Sequence, residues 1–255
     1  MKVLVTGAGG GIGGACARAF AAAGAAVAAT DVRPGPLAAL AEALPGTPTR
    51  TAELTDADAL GPLLDWAWDA LGGIDVLVNA GGRFPATPLR AVTAADWDAV
   101  VGVNARTPLL LTTALAERLI AAGRGGSVVN ISSGAGARPR PGTAVYAASK
   151  AALNMVTRSC ALELAPYDIR VNAVAPGYVR VGSEVNPVTG AYEAAIEEST
   201  PAGRLGRPED IAPVVLWLCG PEAAWITGAV VPADGGLGLG SPHTPTWAES
   251  SKEGA

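Results

Sequence analysis

The sequence has one histidine, His243, and only three cysteines, Cys16, Cys160 and Cys219, each alone in its stretch. With no clustered Cys or His to supply ligands, no metal centre is expected. An odd number of widely spaced thiols argues against a disulfide framework and fits a reducing, cytoplasmic compartment. Basic charge is scarce as well: 18 Lys and Arg against 23 Asp and Glu leave a net charge of -5. Such a chain offers no basic face to a phosphate backbone, which excludes nucleic acid as the expected partner. No apolar run is long enough and free enough of glycine to cross a bilayer, so no membrane is expected either. The opening MKVLVTGAGGGIGGACARAF has a lysine ahead of an apolar run, as a signal peptide would. Its glycines, however, break the helix an exported segment needs, and a nucleotide-binding turn accounts for each of them.

What is present is apolar bulk and a regular beat. About half of the 255 residues are hydrophobic, enough for one substantial core. KVLVT precedes a helical pattern over 13–23, AAVAATD precedes one over 37–44, and TPTRTAEL precedes one over 56–71. IDVLVNAG, a long helical pattern over 93–122, GSVVNISS, a helix over 143–165, IRVNAVAP and finally WITGAVVPADGG continue the alternation. This order predicts right-handed βαβ units in a single α/β domain, doubly wound, with a parallel sheet of roughly seven strands and helices on both faces. Pro232 late in the last strand predicts an edge. Residues 1–240 form the expected domain, 177–206 an expected substrate lid with a short helix at AYEAAIEES, and 241–255 a flexible tail. No internal repeat is visible.

Gly7, Gly11 and Gly13, with Ile12 between the last two, sit between the first strand and the first helix. Missing side chains there let backbone amides approach a pyrophosphate at the positive end of a helix. Asp31, eighteen residues after Gly13, ends the second strand, where a carboxylate can accept from an adenosine ribose or simply form a strand-end turn. A 2'-phosphate ~4 Å away would be repelled by about 1 kcal/mol per unit charge in water, and more at a protein surface. NAD is therefore expected as cofactor over NADP, with Arg33 the one nearby charge of the opposite sign.

In AVYAASKAAL, Tyr146 and Lys150 stand at i and i+4 on one helical face. A phenol ionises near pH 10, so bringing it to ~7 takes roughly 4 kcal/mol of preferential stabilisation of phenolate. Lys150 supplies part of that, and an oxidised nicotinamide alongside would supply more. Alone, Y-x-x-x-K also fits a cation snorkelling over a ring. Ser133, at a strand's carboxyl end thirteen residues before Tyr146, favours the acid/base reading, because a hydroxyl there can hold a substrate oxygen. Ser132 points to the opposite face and reads as structural. Asn79 and Asn104, taken by themselves, read equally as a strand-end turn former and a helix-bending polar residue.

TGAGGGIG (6–13), NAG (79–81), Asn104, ISS (131–133), YAASK (146–150), PG (176–177) and GRPEDIA (206–212) stand in an order and spacing that resemble the short-chain dehydrogenase/reductase family over nearly the whole chain. The resemblance implies a Rossmann-type fold and hydride transfer between a nicotinamide and a secondary alcohol or ketone, the expected small-molecule substrate. It implies Tyr146 as acid/base, Lys150 as a ribose ligand that acidifies the phenol, Ser133 as the residue orienting substrate, and Asn104 as the bearer of a carbonyl in a proton relay. Asn79, Ala80 and Gly81 would pass the adenosine ribose, and Pro176 and Gly177 would flank the nicotinamide. Glu53 and Leu54 stand where the family has Asp and an aliphatic residue, Val181 where it has Thr, and one Asn rather than two precedes Ala80. The alternative activity is an NADPH-dependent ketoreductase of the 3-oxoacyl or polyketide type. Tyr178, Arg180, Ser183, Glu184, Asn186 and Tyr192 form a mixed lid set. Arg138 and Arg140 either line the mouth and attract an anion or are solvated loop charges. TPLLLTTALAERLI and AALNMVTRSCALEL carry more apolar positions than one core-facing stripe needs, which predicts a homodimer or homotetramer.

Overall fold

A computed structural model describes residues 1–181 and 190–240. Ser183, Glu184, Asn186, His243 and the expected tail lie outside the described residues. Seven strands, β1 (Lys2–Thr6), β2 (Ala26–Asp31), β3 (Thr49–Thr51), β4 (Val76–Asn79), β5 (Gly126–Ile131), β6 (Ile169–Pro176) and β7 (Val230–Ala233), form one sheet. Their order is β3-β2-β1-β4-β5-β6-β7 and every pairing is parallel. The chain runs outward from β1 to β3, then returns to lay β4 against β1. Open parallel sheets collect ligands at that reversal, at the carboxyl ends of the strands.

Side-chain alternation along the strands builds two cores. Val3 and Val5 face one side and pack with α1 (Gly11–Ala22), α2 (Pro34–Ala43) and α8 (Pro208–Cys219). Leu4 faces the other and packs with α3 (Leu60–Leu71), α5 (Thr107–Ala121) and α6 (Ala144–Leu164). A parallel sheet must be covered on both faces in this way, because its crossover helices leave neither face to water. The three cysteines are free and buried. Burial pushes the Cys16 and Cys219 thiols up to about 12, so they behave as small apolar packing residues.

Four expectations shift. The third strand is three residues long: Ala52 N–H makes the last ladder bond, to Asp31 O, and beyond it Glu53 turns to accept from Thr55. The first residues of the helix expected over 56–71 form a separate 3₁₀ turn, Ala57–Ala59, capped by Asp56. The long helical pattern is α4 (Ala94–Val101) and α5 joined through a π turn over Gly102–Arg106, in which Thr107 N–H reaches Gly102 O. That joined run, Ala94–Ala121, is long and apolar enough by composition to span a bilayer, contrary to expectation, but most of its apolar window is buried inside the protein. Pro232 does lie on the edge strand β7. The expected short helix is α7 (Gly190–Ser199). The excursion carrying it is pinned at its neck by Arg180 N–H to Gly206 O and Gly206 N–H to Tyr178 O, both 3.0 Å.

Leu119 is fully buried in the second core, and its truncation to Ala should cost about 2–5 kcal/mol. Leu89, 74% exposed, should change stability by no more than ~0.5 kcal/mol when made Ala. Denaturant titration of the two variants checks both values.

Candidate active site

The expected site residues gather along one edge of the sheet. Gly7 follows β1, Asp31 ends β2, Asn79 ends β4 with Ala80 and Gly81 behind it, Ser133 follows β5, and Pro176 and Gly177 close β6. At the reversal between β1 and β4 the backbone is packed too closely for side chains. Gly7 has φ +64°, and a Cβ on it would stand 2.6 Å from Gly81 Cα, while one on Gly13 would stand 2.2 Å from Gly7 O. Gly11 is less constrained, since its Cβ would meet the movable Val181 side chain at 2.9 Å. Val181, at the position where a hydroxyl was expected, thus packs on the glycine turn. Among the described residues no side chain caps α1, and its first turn has no acidic residue, which leaves the amides of Gly11, Ile12 and Gly13 at a positive helix end.

Asp31 is buried and tightly held. One carboxylate oxygen accepts from Gly9 N–H at 3.0 Å, the other from Arg33 N–H at 2.9 Å and Arg33 Nε at 3.1 Å. Thr6, not singled out from the sequence, accepts from both Ala80 N–H and Gly81 N–H at 3.2 Å. It was detectable only as the residue before Gly7 in TGAGGG. Asn79 donates to Asn130 Oδ1 at 2.8 Å, and Asn130 donates to Thr157 at 2.9 Å. Asn79 Oδ1 is buried without a hydrogen-bond partner among the described residues. Glu53 has turned away from this edge, accepting from Thr55 N–H and Oγ1.

Tyr146 and Lys150 lie in the first two turns of α6. Asn104, at the middle of the π turn, donates from Nδ2 to Ser149 Oγ at 2.9 Å and to Arg83 O at 2.7 Å, and accepts from Arg83 N–H at 2.8 Å. Ser149 in turn donates to Tyr146 O at 2.7 Å. The hydroxyl beside Lys150 therefore ties Asn104 to the turn that carries the phenol; in the sequence it is one small polar residue among alanines. A π turn shifts carbonyls out of the regular ladder, as a carbonyl-bearing role for Asn104 requires. Ser132 donates to Asn154 Oδ1 at 2.5 Å on the buried side, the structural part expected of it.

Burial dominates the electrostatics of the pair in the ligand-free protein. Lys150 Nζ sits 5.8 Å from the Tyr146 ring centroid and donates to Ile131 O at 2.7 Å. Yet the phenol is held above its ordinary value: burial raises it, and a hydrogen bond from Ser133 lowers it by less. Burial also brings the Lys150 ammonium down to about 8. Without a further positive charge, this pair does not make a strong base. Because folded Lys150 binds its proton more weakly than unfolded Lys150, its own contribution to stability rises with pH between 8 and 10.5, while the buried Cys16 and Cys219 thiols act in the opposite sense from pH 9 upward. The stability of the cofactor-free wild type relative to Lys150→Met should therefore rise across pH 8 to 10.5; a constant difference between the two from pH 7 to 11 would contradict it.

The chain is similar to known proteins over most of its length. The family model described as enoyl-(acyl carrier protein) reductase, of the short-chain dehydrogenase type, matches residues 7–238. The 3-oxoacyl-[acyl-carrier-protein] reductase of Thermotoga maritima is 40% identical, with 92% of this chain and 96% of the relative covered. The cis-4-hydroxycyclohexanecarboxylate dehydrogenase of Sinomonas cyclohexanicum is 38% identical (91% and 94% covered), and the sorbitol dehydrogenase of Cereibacter sphaeroides 33% identical (91% and 95% covered). With its seven-stranded parallel sheet and these relatives along almost its full length, the chain belongs to the short-chain dehydrogenase/reductase family, an oxidoreductase acting on CH–OH and C=O groups.

Proposed function

We propose that the protein is an NAD-dependent dehydrogenase of a secondary alcohol, run in reverse as a ketone reductase, with Tyr146 as the acid/base. The observation that carries this reading is the convergence of Ser133, Tyr146 and Lys150 beside a glycine cradle. A dinucleotide fits the residues present. The close backbone at Gly7, Gly13 and Gly81 leaves a surface without side chains, and the uncapped amides of α1 suit a pyrophosphate. The orphaned Asn79 Oδ1 suits a ribose hydroxyl. Ala80, Pro176 and Gly177 complete the walls, with Lys150 against the second ribose.

A bound oxidised nicotinamide would accept the hydride and add the positive charge that Lys150 alone does not provide. Ser133 donates to the substrate oxygen and orients the carbinol. Tyr146 takes the hydroxyl proton as the C–H bond is broken, and returns it when the reaction runs toward the alcohol. Asn104, held through Ser149, presents a carbonyl for a water that passes the proton outward behind Lys150. The described parts of the expected lid, 177–181 and 190–206, would cover the substrate, and three buried thiols suit a reducing cytoplasm.

Asp31 supports NAD, because its buried carboxylate would face a 2'-phosphate with like charge. The second reading, an NADPH-dependent ketoreductase, draws on the Thermotoga relative and on Arg33, whose side chain is 54% exposed beside Asp31 and could turn toward a phosphate. The expected result is a lower KM for NAD than for NADP across a panel of secondary alcohols. Tyr146→Phe should lower kcat by about 10²–10⁴-fold. A clear preference for NADPH would replace the first reading with the second, and full turnover by Tyr146→Phe would remove the acid/base assignment from both.

Subunits are proposed to pair through α5 and α6, supported by the exposure of Leu109, Leu110 and Ile120 on one and Met155 and Leu162 on the other. Leu162→Glu should lower the mass found by sedimentation; a wild-type monomer would refute the pairing.

A further inference from the structure

The loop between Ser133 and α6 carries two guanidinium groups that the proposed chemistry does not use. Arg138 and Arg140 line an open surface groove of about 560 Å³ together with Tyr192, Ser199, Ile196 and Leu237. No acidic side chain lines it among the described residues, and neither arginine has a carboxylate partner there. Arg138 Nη2 donates to Leu237 O at 2.7 Å, and Arg140 Nη1 reaches Tyr192 Oη at 3.5 Å. The nearest carboxylate in sequence to Tyr192, Glu193, is occupied by Arg180 and Tyr178.

The loop that holds these charges is restrained. Pro139 and Pro141 fix two backbone torsions. Arg138 N–H donates to Gly134 O at 3.0 Å, and Arg140 N–H to Thr143 Oγ1 at 3.0 Å, while Thr143 Oγ1 donates back to Arg140 O at 2.7 Å. Gly142 O accepts from Thr87 N–H at 2.9 Å. The loop also lies hard against α6, for a Cβ on Gly136 would stand 2.8 Å from Asn154 Nδ2 and 2.9 Å from Lys150 C. Its first residue is the proposed substrate-orienting serine, and the helix it enters presents Tyr146 in its first turn. The loop that walls this groove thus runs directly from the proposed substrate-orienting serine to the helix that carries Tyr146.

We propose that Arg138 and Arg140 form an anion subsite that selects alcohols and ketones carrying a carboxylate on a hydrocarbon frame. Guanidinium forks bind carboxylates through paired hydrogen bonds. Ile196 and Leu237 supply apolar wall for the frame. The inference rests on the dehydrogenase reading for its substrate class, but the subsite itself is measurable without turnover.

Calorimetric titration of the NAD-saturated protein with 4-oxocyclohexanecarboxylate and with its methyl ester tests it. The acid should bind roughly tenfold more tightly than the ester, with the preference shrinking as salt is raised. Arg140→Gln should abolish most of that preference and Arg140→Lys should retain part of it. Arg140 is the deciding position because Arg138 also holds Leu237; unchanged melting temperatures show that the variants fold. Equal binding of acid and ester, a preference that survives in Arg140→Gln, or no binding of the acid would each overturn the subsite. Tight, Arg140-dependent binding of the acid without reduction of it in the presence of NADH or NADPH would uphold the subsite and remove the dehydrogenase reading. Reduction of acid and ester with equal kcat/KM and equal affinity would do the reverse.

Discussion

Where β1 and β4 separate at their carboxyl ends, the chain brings three backbone segments within contact distance, and everything at the site is arranged around that approach. A side chain on Gly7 would collide with the Ala80–Gly81 backbone, and one on Gly13 with the Gly7 carbonyl. Thr6 fastens the same place by accepting from two successive amides of the opposite turn. The steric and hydrogen-bonding requirements reinforce each other: the first demands that no atoms intervene, and the second holds the gap closed. The turn that would receive a dinucleotide is thereby set by packing before any ligand arrives.

Behind that turn the sheet buries polar groups at some cost, which their pairing offsets. Asn79 and Asn130 stand directly opposite in the β4–β5 register and share a side-chain hydrogen bond, and Thr157 of α6 takes the next. Ser132 to Asn154 and Lys150 to Ile131 O add two more ties between β5 and α6. The helix is thus located against the sheet by directional bonds as well as by apolar contact. Apolar packing alone tolerates small slides. Directional bonds do not, and Tyr146 rides on the helix they fix.

Much of the fold was legible because its signals are local. Gly7, Gly13, the Tyr146–Lys150 spacing and Pro232 each state a backbone or facial requirement within a few residues. β3 was overestimated because TPTRTAEL has a strand's composition while its end is taken by Glu53 and Thr55 turning on each other, a competition the pattern does not reveal. Thr6, Ser149 and Asn130 escaped notice because their meaning lies in partners 74, 45 and 51 residues away. The acidity of Tyr146 was not fully legible for a related reason: spacing along a helix brings a charge near, but burial works against it, and how deep the phenol lies is not written in the spacing.

The wide turn at Gly102–Arg106 has a consequence for how this chain can vary. It holds one more residue than an ordinary helical turn and rotates less per residue, so the extra residue is absorbed without turning α4 relative to α5. Losing one residue from the turn would give a regular helix with the flanking faces still aligned. The widened turn would go, and with it the position from which Asn104 reaches Ser149 and Arg83. The length of this stretch is therefore tied to the place of Asn104 and not to the packing of the helices on either side.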